Sequence, residues 1–218
     1  MELKGRDLIA YRAARFLKNG DMVNLGIGMP TKVANFLPEG VEIFLQSENG
    51  FVGLGPTPSP EEWDKDVVNA GGQPASILPG GACFDSCMSF GLIRGGHVAA
   101  TILGALEVDQ EGNLANWIIP GKMVPGMGGG MDLVAGANTV IIMMEHCTKD
   151  GKPKILKKCT LPLTAAHEVD YIVTELCVLH YNGKGLELIE LAPGVTVDEV
   201  IAKTEAELII PEKIGCMV

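Results

Sequence analysis

The sequence predicts an α/β fold: one domain spanning residues 1–218, arranged as an open mixed sheet with helices on its faces. Segments of helical spacing alternate with short apolar runs rich in β-branched residues. In the last third, strand-like runs follow one another directly, which reads as a mixed sheet. The 28 glycines gather in clusters, most of them just after an apolar run, the arrangement expected where loops at strand ends build a ligand site.

The elements follow in order. Leu8, Ile9, Ala13, Phe16 and Leu17 recur at helical spacing, with Gly20 placed as a C-terminal cap. Asp21 to Leu25 reads as a buried strand entering Gly26-Ile27-Gly28, and Pro30 suits the first turn of a helix running to Leu37. Val41 to Gln46 is the next strand, and it delivers Glu48. Phe51 to Glu61, rich in Gly and Pro, reads as a long loop. Ser86 to Arg94 is a helix stopped by Gly95-Gly96, and Val98 to Leu103 a central strand. "EVDQEGNLANWII" predicts a hairpin turning at Glu111-Gly112-Asn113. A glycine loop, "PGKMVPGMGGGMD", precedes the strand Thr139–Met144. Lys154–Cys159, Tyr171–His180 and Gly185–Leu191 read as strands. Thr196 and Glu199 form a capping box for a helix from Val197 to Lys203, and Leu208–Ile210 adds a last strand.

Composition narrows the function. Apolar residues make up 47% of the chain, enough for a large core, yet no run reaches the length of a membrane span. Met1 to Asp7 lacks the apolar stretch of a signal peptide, so a cytoplasmic location is expected. A net charge of −10 argues against non-specific nucleic-acid or anionic-membrane binding. Lys154, Lys157 and Lys158, the basic cluster, read as one solvated strand face. The six cysteines show no zinc spacing and read as free thiols; Cys83, Cys87 and Asp85 make an incomplete ligand set, so no metal is expected.

Motif by motif, several chemistries fail. Gly26-Ile27-Gly28 is not continued as a dinucleotide fingerprint, and neither a Walker loop nor a nucleophile elbow occurs. His97, His146, His167 and His180 are scattered and read as structural or surface residues. What remains is Glu48 in "LQSENGFVGLGP". The plain reading is a solvated glutamate beside an Asn-Gly turn. The chemical reading is a covalent nucleophile. A carboxylate suits exchange between activated acyl groups, because one carboxylate replaces another at little cost in free energy. Such chemistry needs no metal, redox cofactor or nucleotide. It does need an oxyanion hole, and "GMGGGMD" is either a backbone nest of that kind or a flexible connector.

Taken together, "NLGIGMPT", "LQSENGFVGLGP", "VVNAGG", "SFGLIRGGHV", "GNLANWIIPGKMVPGMGGGMDLV" and "MEHCTKDGKPKILKKCTLPLT" resemble the B (β) subunit of the family I coenzyme A transferases over nearly the full chain. Acetate, butyrate–acetoacetate and 3-oxoacid CoA-transferases belong there. The resemblance implies the CoA-transferase superfamily fold, with Glu48 as the nucleophile of a ping-pong transfer of CoA through a glutamyl-CoA thioester. It also implies a site lined by Asn24, Gly26, Gly28, Met127, Gly128 and Gly129, with the Gly129 N–H in the oxyanion hole. Coenzyme A would be a substrate and no cofactor would be bound. A separate A subunit would complete the CoA-binding surface and supply a second oxyanion donor, in an A2B2 or A4B4 assembly. The chain departs from the family at Gly130, where relatives usually carry alanine. An acyl-CoA thioester hydrolase on the same fold and a non-catalytic CoA-binding subunit are the competing readings.

Overall fold

In the computed structural model, residues 3–122, 124 and 126–218 are described. The first half comprises α1 (Gly5–Ala14), β1 (Met22–Leu25), a 3-10 helix (Met29–Phe36), β2 (Phe44–Ser47), β3 (Phe51–Leu54), β4 (Ile77–Cys83), α2 (Ser86–Arg94), β5 (Ala100–Gly104), β6 (Glu107–Asp109) and β7 (Leu114–Ala115). The second half adds α3 (Gly130–Gly136), β8 (Val140–Met143), β9 (Ile155–Leu156), β10 (Tyr171–Val173), β11 (Cys177–Tyr181), β12 (Leu186–Leu191), α4 (Val197–Ala202), β13 (Leu208–Ile209) and β14 (Gly215–Cys216).

Eleven strands form one mixed sheet in the order β13-β12-β11-β10-β8-β5-β1-β2-β3-β4, with β14 on β12; β7-β6-β9 form a small second sheet. The five strands from β10 to β2 are mutually parallel, and antiparallel hairpins extend the block on both sides. Within the parallel block the chain runs outward from β1 in one direction to β2 and in the other to β5, β8 and β10. Order therefore reverses between β1 and β5, and the carboxyl ends of the strands at such a reversal leave a crevice for ligands.

Alternating side chains sort the core into two layers. Ala100, Ile102, Ile141 and Met143 meet Leu8, Ile9 and Ala13 of α1 on one face. On the other, Leu103, Val140 and Ile142 meet Ile93 of α2, Leu133 and Val134 of α3, and Val200 of α4. Strands covered on both faces have no reason to alternate with polar residues, which is why β8 is an unbroken apolar run and β5 is apolar but for the buried Thr101. Each fully buried Ile or Leu here contributes about 1.5–3 kcal/mol of hydrophobic stabilisation.

Several elements differ from the sequence expectation. The helical pattern reaching Leu17 is real as burial, but the helix proper ends at Ala14. Arg15, Phe16 and Leu17 then donate to carbonyls three residues back, tightening the last turn. Gly20 caps nothing; its N–H donates to Glu42 O at 2.7 Å in the turn leading to β1. The helix expected from Pro30 is a 3-10 helix. Tyr171–His180 divides into two antiparallel strands around Thr174. The largest miss is the loop expected from Phe51 to Glu61, because its first residues are β3, paired with β2, and β4 continues the sheet beyond. At the other extreme, Ser86–Arg94 has the expected bounds. The Asp85 carboxylate accepts from Met88 N–H at 2.8 Å at one end, and Gly95 closes the other.

Candidate active site

Glu48 sits at the reversal between β2 and β3, with Gly50 N–H donating to Ser47 O at 3.0 Å to close the turn. Gly50 has φ +137, and a Cβ there would run into the Phe84 carbonyl oxygen, so the tight reversal depends on glycine. Neighbouring groups fix the turn from outside: Ala70 N–H donates to Ser47 Oγ at 3.0 Å, and Asn49 Nδ2 to Val68 O at 2.8 Å. Held in this way, the half-buried Glu48 is presented at the carboxyl end of the sheet, on the face carrying α2 and α3.

Three of the expected site residues meet there. Asn24, buried on β1, donates from Nδ2 to Glu48 Oε2 at 3.2 Å. On the opposite side lie Gly128 and Gly129, just before α3. A Cβ on Gly129 would stand 3.2 Å from Glu48 Cγ, 3.3 Å from Oε1 and 3.2 Å from Phe90 Cζ; one on Gly128 would stand 4.0 Å from Oε1. Gly128 has φ +52, a conformation that glycine adopts without strain. The carboxylate is thus pinned by an amide on one oxygen and walled by bare backbone on the other.

The remaining three make no contact with Glu48 among the described residues. Gly26 donates to Ile102 O at 2.8 Å, and a Cβ there would meet Leu103 Cδ2 at 3.0 Å, so it closes the β1–β5 junction. Gly28 is exposed at the start of the 3-10 helix, with nothing within 4 Å of a Cβ position. Met127 is half-buried, and its carbonyl accepts from Gly130 N–H at 3.0 Å in the turn into α3. Of the loop "PGKMVPGMGGGMD", Met123 and Pro125 lie outside the described residues.

Sequence reasoning missed Gln46, Ser89 and Phe90. Gln46 is two residues before Glu48, on the same face of its strand, and is the register partner of Asn24. Its Oε1 accepts from Asn24 Nδ2 at 2.7 Å, and its Nε2 donates to Ser89 Oγ at 2.9 Å. The period-two spacing was the available signal. α2, which carries Ser89 and Phe90, is drawn against α3 at Gly136, where a side chain would strike the Ile93 carbonyl. Arg94 Nε reaches Asp132 Oδ1 at 2.6 Å across the same contact.

Other titratable groups lie elsewhere. His146 is fully buried, its two ring nitrogens hydrogen-bonded to Thr174 Oγ1 (3.0 Å) and Thr204 Oγ1 (2.8 Å). Burial, with the charge of Lys203, lowers its pKa to about 4, so it is a neutral structural group. All six cysteines are free thiols, and burial raises Cys177 to about 12. Among the described residues no group of three or more His, Cys, Asp or Glu side chains could hold a metal ion. Asp85 is committed to its helix cap. Lys154 departs from the solvated-face reading: it is half-buried, with Nζ donating to Ala105 O at 3.1 Å, and burial lowers its pKa. Lys157 and Lys158 are exposed. Among the described residues no helix is long and apolar enough to cross a membrane.

A parallel block with a reversal in strand order, and a carboxylate held at its carboxyl edge, define an α/β protein with a strand-end ligand crevice. The coenzyme A transferase family model matches residues 6–203, and the chain belongs to that family. It is 60% identical over 206 residues to the beta chain of the acetate CoA-transferase of Escherichia coli, covering 94% of this chain and 93% of that one. The B chain of the probable succinyl-CoA:3-ketoacid coenzyme A transferase of Bacillus subtilis is 47% identical over 97% of this chain and 98% of that one. Among solved structures, an acyl-CoA transferase apoenzyme from Escherichia coli shares the fold with a TM-score of 0.77 at 23% identity. It covers all of this chain, which spans 44% of that longer one. Glutaconate coenzyme A-transferase from Acidaminococcus fermentans gives a TM-score of 0.66 at 19% identity, over 95% of this chain and 88% of that one.

Proposed function

We propose that the chain is the nucleophile-bearing subunit of a CoA-transferase moving CoA between a short-chain acyl-CoA and a carboxylic acid of the acetate, butyrate or acetoacetate type. The observation that carries this reading is the Glu48 carboxylate held by the Asn24 amide on one side and faced by Gly128-Gly129 on the other. The relatives named as acetate and succinyl-CoA:3-ketoacid CoA-transferase subunits support the substrate class.

A Glu48 oxygen attacks the acyl thioester carbonyl. The tetrahedral adduct expels CoA thiolate and leaves an acyl-glutamyl anhydride. The thiolate attacks the glutamyl carbonyl, expelling the first carboxylate and forming a glutamyl-CoA thioester. A second carboxylate reverses both steps, so the cycle needs no net proton and no redox partner. Each step passes through an oxyanion, and fixed donors raise rates most where charge develops. The Gly129 N–H and the Asn24 amide are the donors this chain brings.

The partner in this reading is an A subunit that completes the CoA surface in an A2B2 or A4B4 assembly, in the cytoplasm and without a cofactor. The test uses the A/B complex loaded with acyl-CoA and treated with borohydride. Glu48 should be reduced to an alcohol, seen as a mass change in its peptide, and Glu48→Ala should be inactive. An unmodified Glu48, or full activity in Glu48→Ala, would overturn the proposal. Steady thiol release without an acceptor acid would favour a hydrolase.

A further inference from the structure

The amide of Asn24 can offer Glu48 either its NH2 or its carbonyl, and the two have opposite effects. An N–H holds a carboxylate and stabilises an oxyanion; a carbonyl at the same place repels both. Asn24 has no means of choosing by itself, because its two amide ends are nearly the same size.

The choice is made one strand away. Gln46 is 2% exposed and Ser89 fully buried, so water does not compete for either. Gln46 Oε1 accepts from Asn24 Nδ2 at 2.7 Å, which requires an NH2 on the Asn24 side. The same NH2 turns its second hydrogen toward Glu48 Oε2 at 3.2 Å, with the Gln46 main-chain carbonyl a longer acceptor at 3.3 Å. Its other end is anchored on α2, where Gln46 Nε2 donates to Ser89 Oγ at 2.9 Å. Turning Asn24 over would set its carbonyl against Gln46 Oε1, the Gln46 main-chain oxygen and Glu48, three oxygen–oxygen contacts in a buried place. The Asn24 amide therefore has one orientation that satisfies Glu48 and both Gln46 oxygens.

We infer that Gln46, braced by Ser89, is a positioning residue that fixes the Asn24 amide with its N–H on Glu48. The inference rests on reading Glu48 as the nucleophile. Ser89 comes from α2 and Gln46 from β2, so helix and sheet jointly hold one amide in place. Phe90, next to Ser89, comes to the same Cβ position of Gly129 that Glu48 does, so α2 reaches both walls of the site.

The test uses the A/B complex with Gln46→Met, which keeps length and volume but can neither accept nor donate as an amide does. We expect kcat to fall about 10–100-fold, within the range for losing an oriented donor, with KM for acyl-CoA within about 3-fold. In an Asn24→Ala background the same substitution should change kcat less than about 2-fold, because residues acting through one another are not additive. Gln46→Glu keeps an acceptor toward Asn24, and Ser89 can donate to its other oxygen. It should recover most of the rate at high pH while moving the acidic limb of kcat/KM upward, since a second carboxylate nearby opposes ionisation of Glu48. Ser89→Ala should show a smaller loss in the same direction.

Wild-type kcat in Gln46→Met, or an equal loss in the Asn24→Ala background, would overturn the inference, the second result indicating packing alone. Should Gln46→Met fail to assemble, Gln46→Glu and Ser89→Ala decide: an unshifted pH limb together with an unchanged rate sinks it. Glu48→Gln is measured alongside. Activity there removes the nucleophile reading itself, whereas an inactive Glu48→Gln beside a fully active Gln46→Met removes only the role of Gln46.

Discussion

Gly129 leaves open the space that Glu48 occupies: a methyl group on residue 129 would stand 3.2 Å from Glu48 Cγ and 3.3 Å from Oε1, with Phe90 equally close behind it. The backbone of Gly129, at φ −83, is one any residue can adopt, so the need for glycine is spatial. Gly129→Ala should therefore fold normally while pushing the carboxylate aside. The contacts ask the carboxylate to give by a few tenths of an ångström; since a misplacement on the order of 1 Å costs about 10²-fold in rate, a loss on the order of 10-fold is expected. Steady-state kinetics of the A/B complex should show that loss in kcat with the thermal midpoint little changed, and wild-type kcat would refute it.

Gly130, one residue on, should behave in the opposite way. It begins α3, and a Cβ there would meet Thr164 Cγ2 at 3.6 Å and Met127 Sδ at 3.9 Å, both ordinary contacts. Replacing a helical glycine with alanine should stabilise the chain by about 0.5–1 kcal/mol. Denaturant unfolding of Gly130→Ala checks this; destabilisation would mean that the loop ahead of α3 needs the extra freedom.

Gly50→Ala should be damaging. It combines φ +137 with a collision against the Phe84 carbonyl, which is backbone and cannot swing away. The same glycine's carbonyl accepts from Phe84 N–H at 2.9 Å, so the clash also loosens the tie between the turn and the end of β4. A loss of more than about 2 kcal/mol is expected, together with loss of activity. An unchanged melting curve would show that the reversal after β2 has room to relax.

His146 sets a pH window for stability. Its folded-state pKa is lowered from 6.5 to about 4, so the unfolded chain takes up the proton first as pH falls. The stability it contributes is complete above about pH 6.5 and is lost as pH falls toward about 4, amounting to roughly 3 kcal/mol. Urea unfolding of wild type and His146→Gln from about pH 7.5 to about pH 4.5 should give converging curves, the wild type falling more steeply. Parallel curves would show that His146 does not carry the effect.

Much of the architecture was legible in the sequence because local and tertiary signals agreed. α2 is bounded by an Asp cap and a glycine stop, and β8 and, but for Thr101, β5 are apolar because both their faces are covered. β4 was hidden for a physical reason. "ILPGGAC" carries a proline and two glycines, which read as turn chemistry, yet an edge strand tolerates Pro79 because its outer face has no ladder to complete. Glu48 and the glycine loop could be picked out from the linear text, whereas Gln46 left only its period-two spacing from Glu48 and Ser89 left no mark. A polar residue in a short strand looks like the solvent-facing half of an alternation until register places Asn24 beside it. Ser89, 43 residues away, is joined to it only by the packing of α2 on the sheet.

The position of β4 has a consequence for how the free chain ages. Six of its seven residues are exposed, and among the described residues its one sheet partner is β3, the strand that completes the reversal carrying Glu48. Regions with few buried contacts open first, by local excursions far below the cost of unfolding the whole chain. Amide hydrogens of β4 and β3 should thus exchange with solvent well before those of β5 and β8, and without its partner the chain loses the geometry around Glu48 while its core is still intact.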